Sequence, residues 1–309
     1  MASYLARRCL QAVLTLFLVT VITFVLLHTM PGSSNIGWIL LGRDATRARA
    51  AALDRQLGVN LPLPLQYVRW LITLVQGGGL AQNFQQVAPP TLEYLALGGG
   101  LALVVTILLA ALQARHPRST FDQLSSGAVY FLSTLPSFWI GLLLIYVFAM
   151  NLFWLPGSGP YPAPAAEGLR NWLFYMVLPV CTLAIPTVAG WSGLFRTAIE
   201  EALRSDYVRT AHAKGSTASR VLFGHALRNA LLPIITVAGM SLATLFNNIV
   251  VLEIVFRMHG LGSTLIGSLF SFDFNEAVDV VLVISIVTVF GNLVADILYS
   301  LADPRIQFS

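Results

Sequence analysis

The chain has 309 residues, of which 56% are hydrophobic and only 10% charged, and its mean hydropathy is +0.75. A soluble domain carries about 25% charged residues, so this composition excludes an ordinary soluble protein and points to a multi-pass membrane protein. The net charge of +4 could suggest nucleic acid, but the basic residues alternate with long apolar runs, and a charge bias between the two sides of a membrane explains them better.

A membrane-spanning helix needs about 20 mostly apolar residues, and six segments qualify. The first runs from about Cys9 to Met30. Arg7 and Arg8 precede it, as in a signal peptide, but the run is longer than a signal core and no A-x-A site follows. It reads as an uncleaved first span, residues 1–30. The segment 31–93 follows as the largest extramembrane piece. Within it "RDATRARAAALDRQLG" reads as an amphipathic helix stopped at Gly58, and "LPLPLQYVRWLITLVQ" as a second helix entered through two prolines.

Residues 94–309 read as a five-helix core. Its spans run from about Tyr94 to Ala114, Gly127 to Phe153, Leu173 to Phe195, Leu231 to Phe256 and Val278 to Leu301. Pro136 in the third segment, and Pro179 and Pro186 in the fourth, are candidate hinges. The stretch "WLPGSGPYPAPAAEG" holds four prolines and cannot be a regular helix.

With the N-terminus in the cytoplasm, the inner segments carry eleven of the eighteen Lys and Arg residues. Five of the seven outer ones fall in the single loop 31–93, where the bias rule weakens. Both termini are therefore expected inside, in an all-α integral membrane protein with six transmembrane helices.

Catalytic signatures are missing. There is no GxxxxGK[ST], no HExxH and no GxSxG, and the only lysine is Lys214. The chain cannot cradle ATP by itself. Its five histidines stand singly, and Cys9 and Cys181 form no disulfide or metal spacing. No cofactor and no catalytic residue is expected in this chain. Glu253, Asp279 and Asp296 lie within or at the edges of spans. An acid there is a functional candidate, set against plain structural pairing, which for Asp296 could be with Arg305.

The most informative stretch is the polar loop of about residues 196–230, which holds six basic residues in an otherwise apolar region. The fourth span continues into it as "FRTAIEEALRSD". Asp206 is placed as the N-cap of a short helix, "YVRTAHAK", with Gly215 as its left-handed stop and Ser216 as the cap of the next helix, "TASRVLFGHALRNALL". A two-turn helix is marginal alone in water. Its residues Tyr207, Arg209, Thr210, Ala211, Ala213, Lys214 and Gly215 suit insertion into a groove on another protein. A basic helix lying on anionic headgroups is the alternative, which Glu200, Glu201 and Asp206 weaken.

The segment "YVRTAHAKGSTASRVLFGHALRNALLP" resembles the EAA loop of ATP-binding-cassette (ABC) importer permeases, in the version found in dipeptide, oligopeptide and nickel permeases. Arg209, Thr210 and Ala211 stand in the place of Glu-Ala-Ala, and Gly215 is the motif glycine. "YLARRCLQAVLTLFLVTVITFVLLHTMPG", "LGVNLPLPLQYVRWL", "FLSTLPSFWIGLLLIYVF" and "LADPRIQF" extend the resemblance along the chain. Departures are His259 where proline is usual, "GGGLAQNF" without the usual acid, and "LLAALQARHP" without Pro-Leu-Gly.

The resemblance implies a type I importer fold in a bacterial or archaeal plasma membrane. It implies a second, usually different, permease subunit, two ATP-binding subunits that carry ATP and Mg, and an external solute-binding protein. The loop would be the coupling helix that docks on an ATP-binding subunit. Ser241, Thr244 and Asn248, spaced along one face of the fifth span beside Asn247, are candidates for lining the passage; helix packing through small residues is the alternative. A stand-alone ion-coupled transporter or channel, with Asp279 and Asp296 as relay acids, and a non-transporting scaffold are the rival readings.

Overall fold

Backbone groups in a bilayer find no water and must bond within the segment, so long apolar runs fold as helices. In the computed structural model every regular element among the described residues is helical. The structure describes residues 2–30, 36–41, 46–76, 83–157 and 168–302. Arg43, the proline-rich stretch 158–167 and the C-terminal 303–309 with Arg305 lie outside them, as do the side chains of Thr244, Asn247, His212 and Asp296.

In chain order the helices are α1 (Ala2–His28), α2 (Ile36–Leu41), α3 (Arg47–Leu57), α4 (Leu63–Val75) and α5 (Ala88–Arg115), the last entered through a π-helical turn at Asn83–Val87. Then come α6 (Thr120–Ser133), α7 (Ser137–Leu144), α8 (Leu169–Leu203), α9 (Asp206–Ala213), α10 (Ala218–Val221), α11 (Leu227–Met240), α12 (Leu242–Val255), α13 (Leu261–Phe270) and α14 (Phe274–Ala302). Four stretches, Leu10–His28, Phe84–Arg115, Leu169–Leu203 and Phe274–Val294, are long and apolar enough to cross a membrane, and up to six are if each of two bent pairs counts as one span.

Two of the expected spans are bent, and the candidate hinge Pro136 stands at one of the bends. The third apolar segment is not one helix: α6 and the α7 stretch to Asn151 meet at 105°. Pro136 has no N–H to continue the ladder, and at φ −61°, ψ 138° it starts α7 instead. The fifth segment bends by 48° between Ala218–Leu231 and Pro233–Gly239, and a single turn residue, Ser241, then separates two helices. α11 ends at Met240 and α12 begins at Leu242. The Ser241 hydroxyl donates to the Val237 carbonyl at 2.7 Å, satisfying one of the acceptors left at the helix end. By contrast α8 runs unbroken through Pro179 and Pro186. Thr182 and Thr187 hydroxyls donate to the Leu178 and Leu183 carbonyls, each at 2.7 Å, within this stretch.

The contacts divide the chain into two units, residues 1–91 with 259–289, and residues 92–258 with 290–309. The first unit thus takes in part of what reads in sequence as the five-helix core. It is organised around Phe24 of α1, which packs with Trp70, Val278 and Leu282. The expected pair of helices after α1 is present: Thr46 caps α3, Gly58 stops it at φ 76°, and Pro62 leads into α4.

The second unit is built on α8, which packs against α6, α7, α11 and α12. Trp172, Leu183, Trp191, Phe195 and Ile199 of α8 are buried in its core. Gly98 of α5 sits so close to α8 that an added Cβ would lie 2.7 Å from Leu183 Cδ2.

Candidate coupling surface

α8 continues beyond its apolar stretch to Leu203, so the polar loop begins as a direct extension of a long helix. The chain turns at Arg204 and Ser205 and re-enters a helix at Asp206. Asp206 is the first residue of α9 rather than its cap, because the Ser205 carbonyl already accepts the Val208 and Arg209 N–H groups. As an acid in the first turn it still meets the positive end of the helix dipole.

The eight residues of α9 extend about 12 Å at about 1.5 Å per residue. Gly215 stops it in the left-handed region at φ 82°, and the Ser216 N–H reaches back to the Ala211 carbonyl at 3.1 Å. That five-residue return is the Schellman closure. The next helix is capped by Thr217, whose hydroxyl accepts from the Arg220 N–H, and not by Ser216 as the sequence suggests. α10 runs through a π-helical stretch, Leu222–Ala226, into α11.

The helix has two faces. Val208 and Ala211 are buried against Val221 and Ala226, with Ala202 and Leu203 alongside. This is the packing that a two-turn helix requires. Arg209, Thr210, Ala213, Lys214 and Gly215 face solvent, and Tyr207 is 39% exposed. Ala211 therefore belongs to the inner face and anchors the helix, while the other six residues form an outward face. The Arg209–Asp206 ion pair at 3.7 Å is fully in solvent and holds little energy.

A polar clamp fixes the base of this loop. Arg196 of α8 makes a two-pronged bond to Asp122 near the start of α6, at 2.5 and 3.0 Å, and its Nε donates to Glu200 at 2.7 Å. Asp122 also accepts from the Arg118 backbone N–H at 2.7 Å and from the Ser126 hydroxyl at 3.3 Å. Asp122 is buried, and a buried carboxylate is tolerated when its lone pairs are matched in this way. Sequence reading noted Arg196 as a loop cation but missed its partner; the available signal was "STFD", a serine cap with an acid three residues on.

Of the passage candidates, Ser241 stands at the turn between α11 and α12, and Thr244 and Asn248 lie within α12. Ser241 lies between α11 and α12 and accepts the Trp191 indole N–H at 3.0 Å. Asn248 of α12 accepts from the Ser137 hydroxyl, the first residue of α7, at 3.3 Å. Thr244 lies in α12, with its side chain outside the described residues. Ser241 and Asn248 each bond to a different helix of the second unit, α8 and α7. Of the buried acids, Asp279 accepts the Trp70 indole N–H at 2.8 Å within the first unit.

Residues 102–308 match the family described as "Binding-protein-dependent transport system inner membrane component", and residues 1–95 match the N-terminal part of such membrane components. The chain is 32% identical, over the full length of both proteins, to the oligopeptide transport system permease protein AppB of Bacillus subtilis. It is 34% identical over 99% of both chains to the di/tripeptide transport system permease protein DppB of Pseudomonas aeruginosa. Against the dipeptide transport system permease protein DppB of Alkalihalophilus pseudofirmus the identity is 30%, again over both full chains. With several apolar helices and a family match over both halves, this multi-pass membrane protein belongs to the family of inner membrane components of binding-protein-dependent transport systems.

Proposed function

We propose that the chain is a permease subunit of an ABC importer for peptides or a related small solute, and that α9 is its coupling helix. In this reading the chain crosses the membrane six times, two of the crossings being bent, and both termini and the polar loop lie in the cytoplasm of a bacterium or archaeon. The basic residues concentrated in the loop support that orientation. The peptide class rests on what the relatives are named for.

In this reading a second permease completes the pathway, an external binding protein delivers the solute, and two separate subunits bind ATP with Mg2+ and hydrolyse it. The observation that carries it is the division of α9 into an inner face locked to its own chain and an outer face of Tyr207, Arg209, Thr210, Ala213, Lys214 and Gly215. A rigid knob on a 35-residue helix transmits a push from a docked subunit to α6, α7, α11 and α12, which pack on that helix. Rocking of these elements would alternate access to the pathway, with Ser241, Thr244 and Asn248 lining it.

A stand-alone transporter, the rival reading, has no use for an exposed knob such as the outer face of α9. The test is Arg209→Glu together with Lys214→Glu. Co-purification of the ATP-binding subunits and solute uptake should fall together, with thermal stability unchanged. Undiminished co-purification contradicts the assignment.

A further inference from the structure

The first unit contains a cavity of about 470 Å³ that the transport reading does not use. It lies among the α3–α4 turn, α4, the end of α1 and the α13–α14 turn. Its volume falls in the range of small-molecule sites, about 300–1,000 Å³. Trp70, Phe274 and His28 supply ring surfaces, and Asp273 and Asp279 supply carboxylates.

These groups are set by the fold. Phe24 stacks on His28 at 3.8 Å and packs against Trp70 at 6.0 Å, while His28 lies 5.9 Å from Phe274. Trp70 donates to Asp279 Oδ1 at 2.8 Å, which fixes both the ring and the acid. Asp273 stands before α14, its Oδ1 accepting the Glu276 N–H at 3.1 Å. A carboxylate accepts at both oxygens, so each acid keeps acceptor capacity beyond these bonds.

Among the described lining residues the one arginine, Arg69, is tied to the α3–α4 turn. Its Nη2 donates to the Gln56 carbonyl at 3.4 Å, and its Nη1 lies 2.5 Å from where a Cβ on Gly58 would be. Two carboxylates against one guanidinium give the lining a negative balance. Aromatic faces beside carboxylates attract a compact cation, through the ring quadrupole and through charge-assisted hydrogen bonds.

We propose that this cavity binds small molecules carrying a protonated primary amine, with Asp279 and Asp273 receiving the ammonium group and Trp70, Phe274 and His28 walling the apolar stem. The site is independent of the α9 assignment, since it lies wholly in the first unit.

The test uses the full chain in neutral phosphatidylcholine nanodiscs, with 2-phenylethylammonium as probe and 3-phenylpropionate as the stem-matched anion, read by calorimetry. The amine should bind saturably and the acid should not. Asp279→Asn keeps an acceptor for the Trp70 indole while removing the charge, and should weaken amine binding by about tenfold or more. Thr73→Phe, which adds bulk at the cavity lining and leaves both acids in place, should abolish it and remains decisive if Asp279→Asn fails to fold. No saturable binding by the wild type, equal binding of the anion, or full binding by Thr73→Phe each overturns the proposal.

Discussion

Arg196 and Asp122, 74 residues apart in sequence, form a two-pronged ion pair that ties the polar end of α8 to the beginning of α6. Asp122 is nearly sealed from solvent, its side chain 6% exposed against 27% for Arg196. Removing one partner of such a pair strands a desolvated charge, at a cost of about 3 kcal/mol. Asp122→Ala and Arg196→Ala should each lower thermal stability, and the double variant should be no worse than the poorer single. Additive losses in this double-mutant cycle would show that the two residues do not act as a pair.

The faces of α9 should separate in their effects. Ala211 packs with Val208, Val221 and Ala226, so Ala211→Asp buries an unmatched carboxylate and should destabilise the chain itself. Ala213→Asp, on the exposed face, should leave stability within about 0.5 kcal/mol while reducing retention of the ATP-binding subunits. Thermal unfolding in detergent and affinity co-purification, measured on the same preparations, give the two readouts.

Gly215 holds φ 82° with nothing within 4 Å of an added Cβ, so the penalty for a substitution there is purely conformational. Gly215→Val should cost about 1–2 kcal/mol or more at the turn and loosen α9, whereas Gly215→Asn should be tolerated. Hydrogen exchange over residues 206–216 should rise in the valine variant alone.

Close packing between α5 and α8 sets a different requirement at Gly98. An added Cβ would lie 2.7 Å from Leu183 Cδ2 and 3.0 Å from Leu183 Cβ, so Gly98→Ala should cost about 1–3 kcal/mol through overpacking. Gly100, with nothing within 4 Å, should accept alanine without loss. Thermal unfolding of the two variants side by side checks this, and equal stabilities would contradict the packing seen here.

Much of this architecture is legible in the sequence because its signals are local. Apolar length marks α1, α5, α8 and α14; Gly58 and Gly215 mark helix stops; and the polar run after Phe195 marks the loop. Pro136 reads as a candidate hinge, but hydropathy sums over a window and does not register a missing N–H, so the size of the bend there, 105°, was not legible. The Trp191–Ser241 bond likewise joins residues that lie far apart in sequence. Ala211 reads as part of the docking set in a linear motif, and only the fold around Val221 and Ala226 turns it inward. Asp122 with Arg196 and Trp70 with Asp279 are long-range pairs that no spacing rule reveals.

The central claim is that the outer face of α9 receives an ATP-binding subunit on the cytoplasmic side. The direct measurement is cross-linking from Lys214→Cys, in a chain with Cys9 and Cys181 replaced by alanine, in membranes containing the assembled transporter. The expected result is a cross-link to an ATP-binding subunit, together with protection of this cysteine from an impermeant thiol reagent added to intact cells. Labelling from outside, or no cross-link in the assembled transporter, would contradict the account.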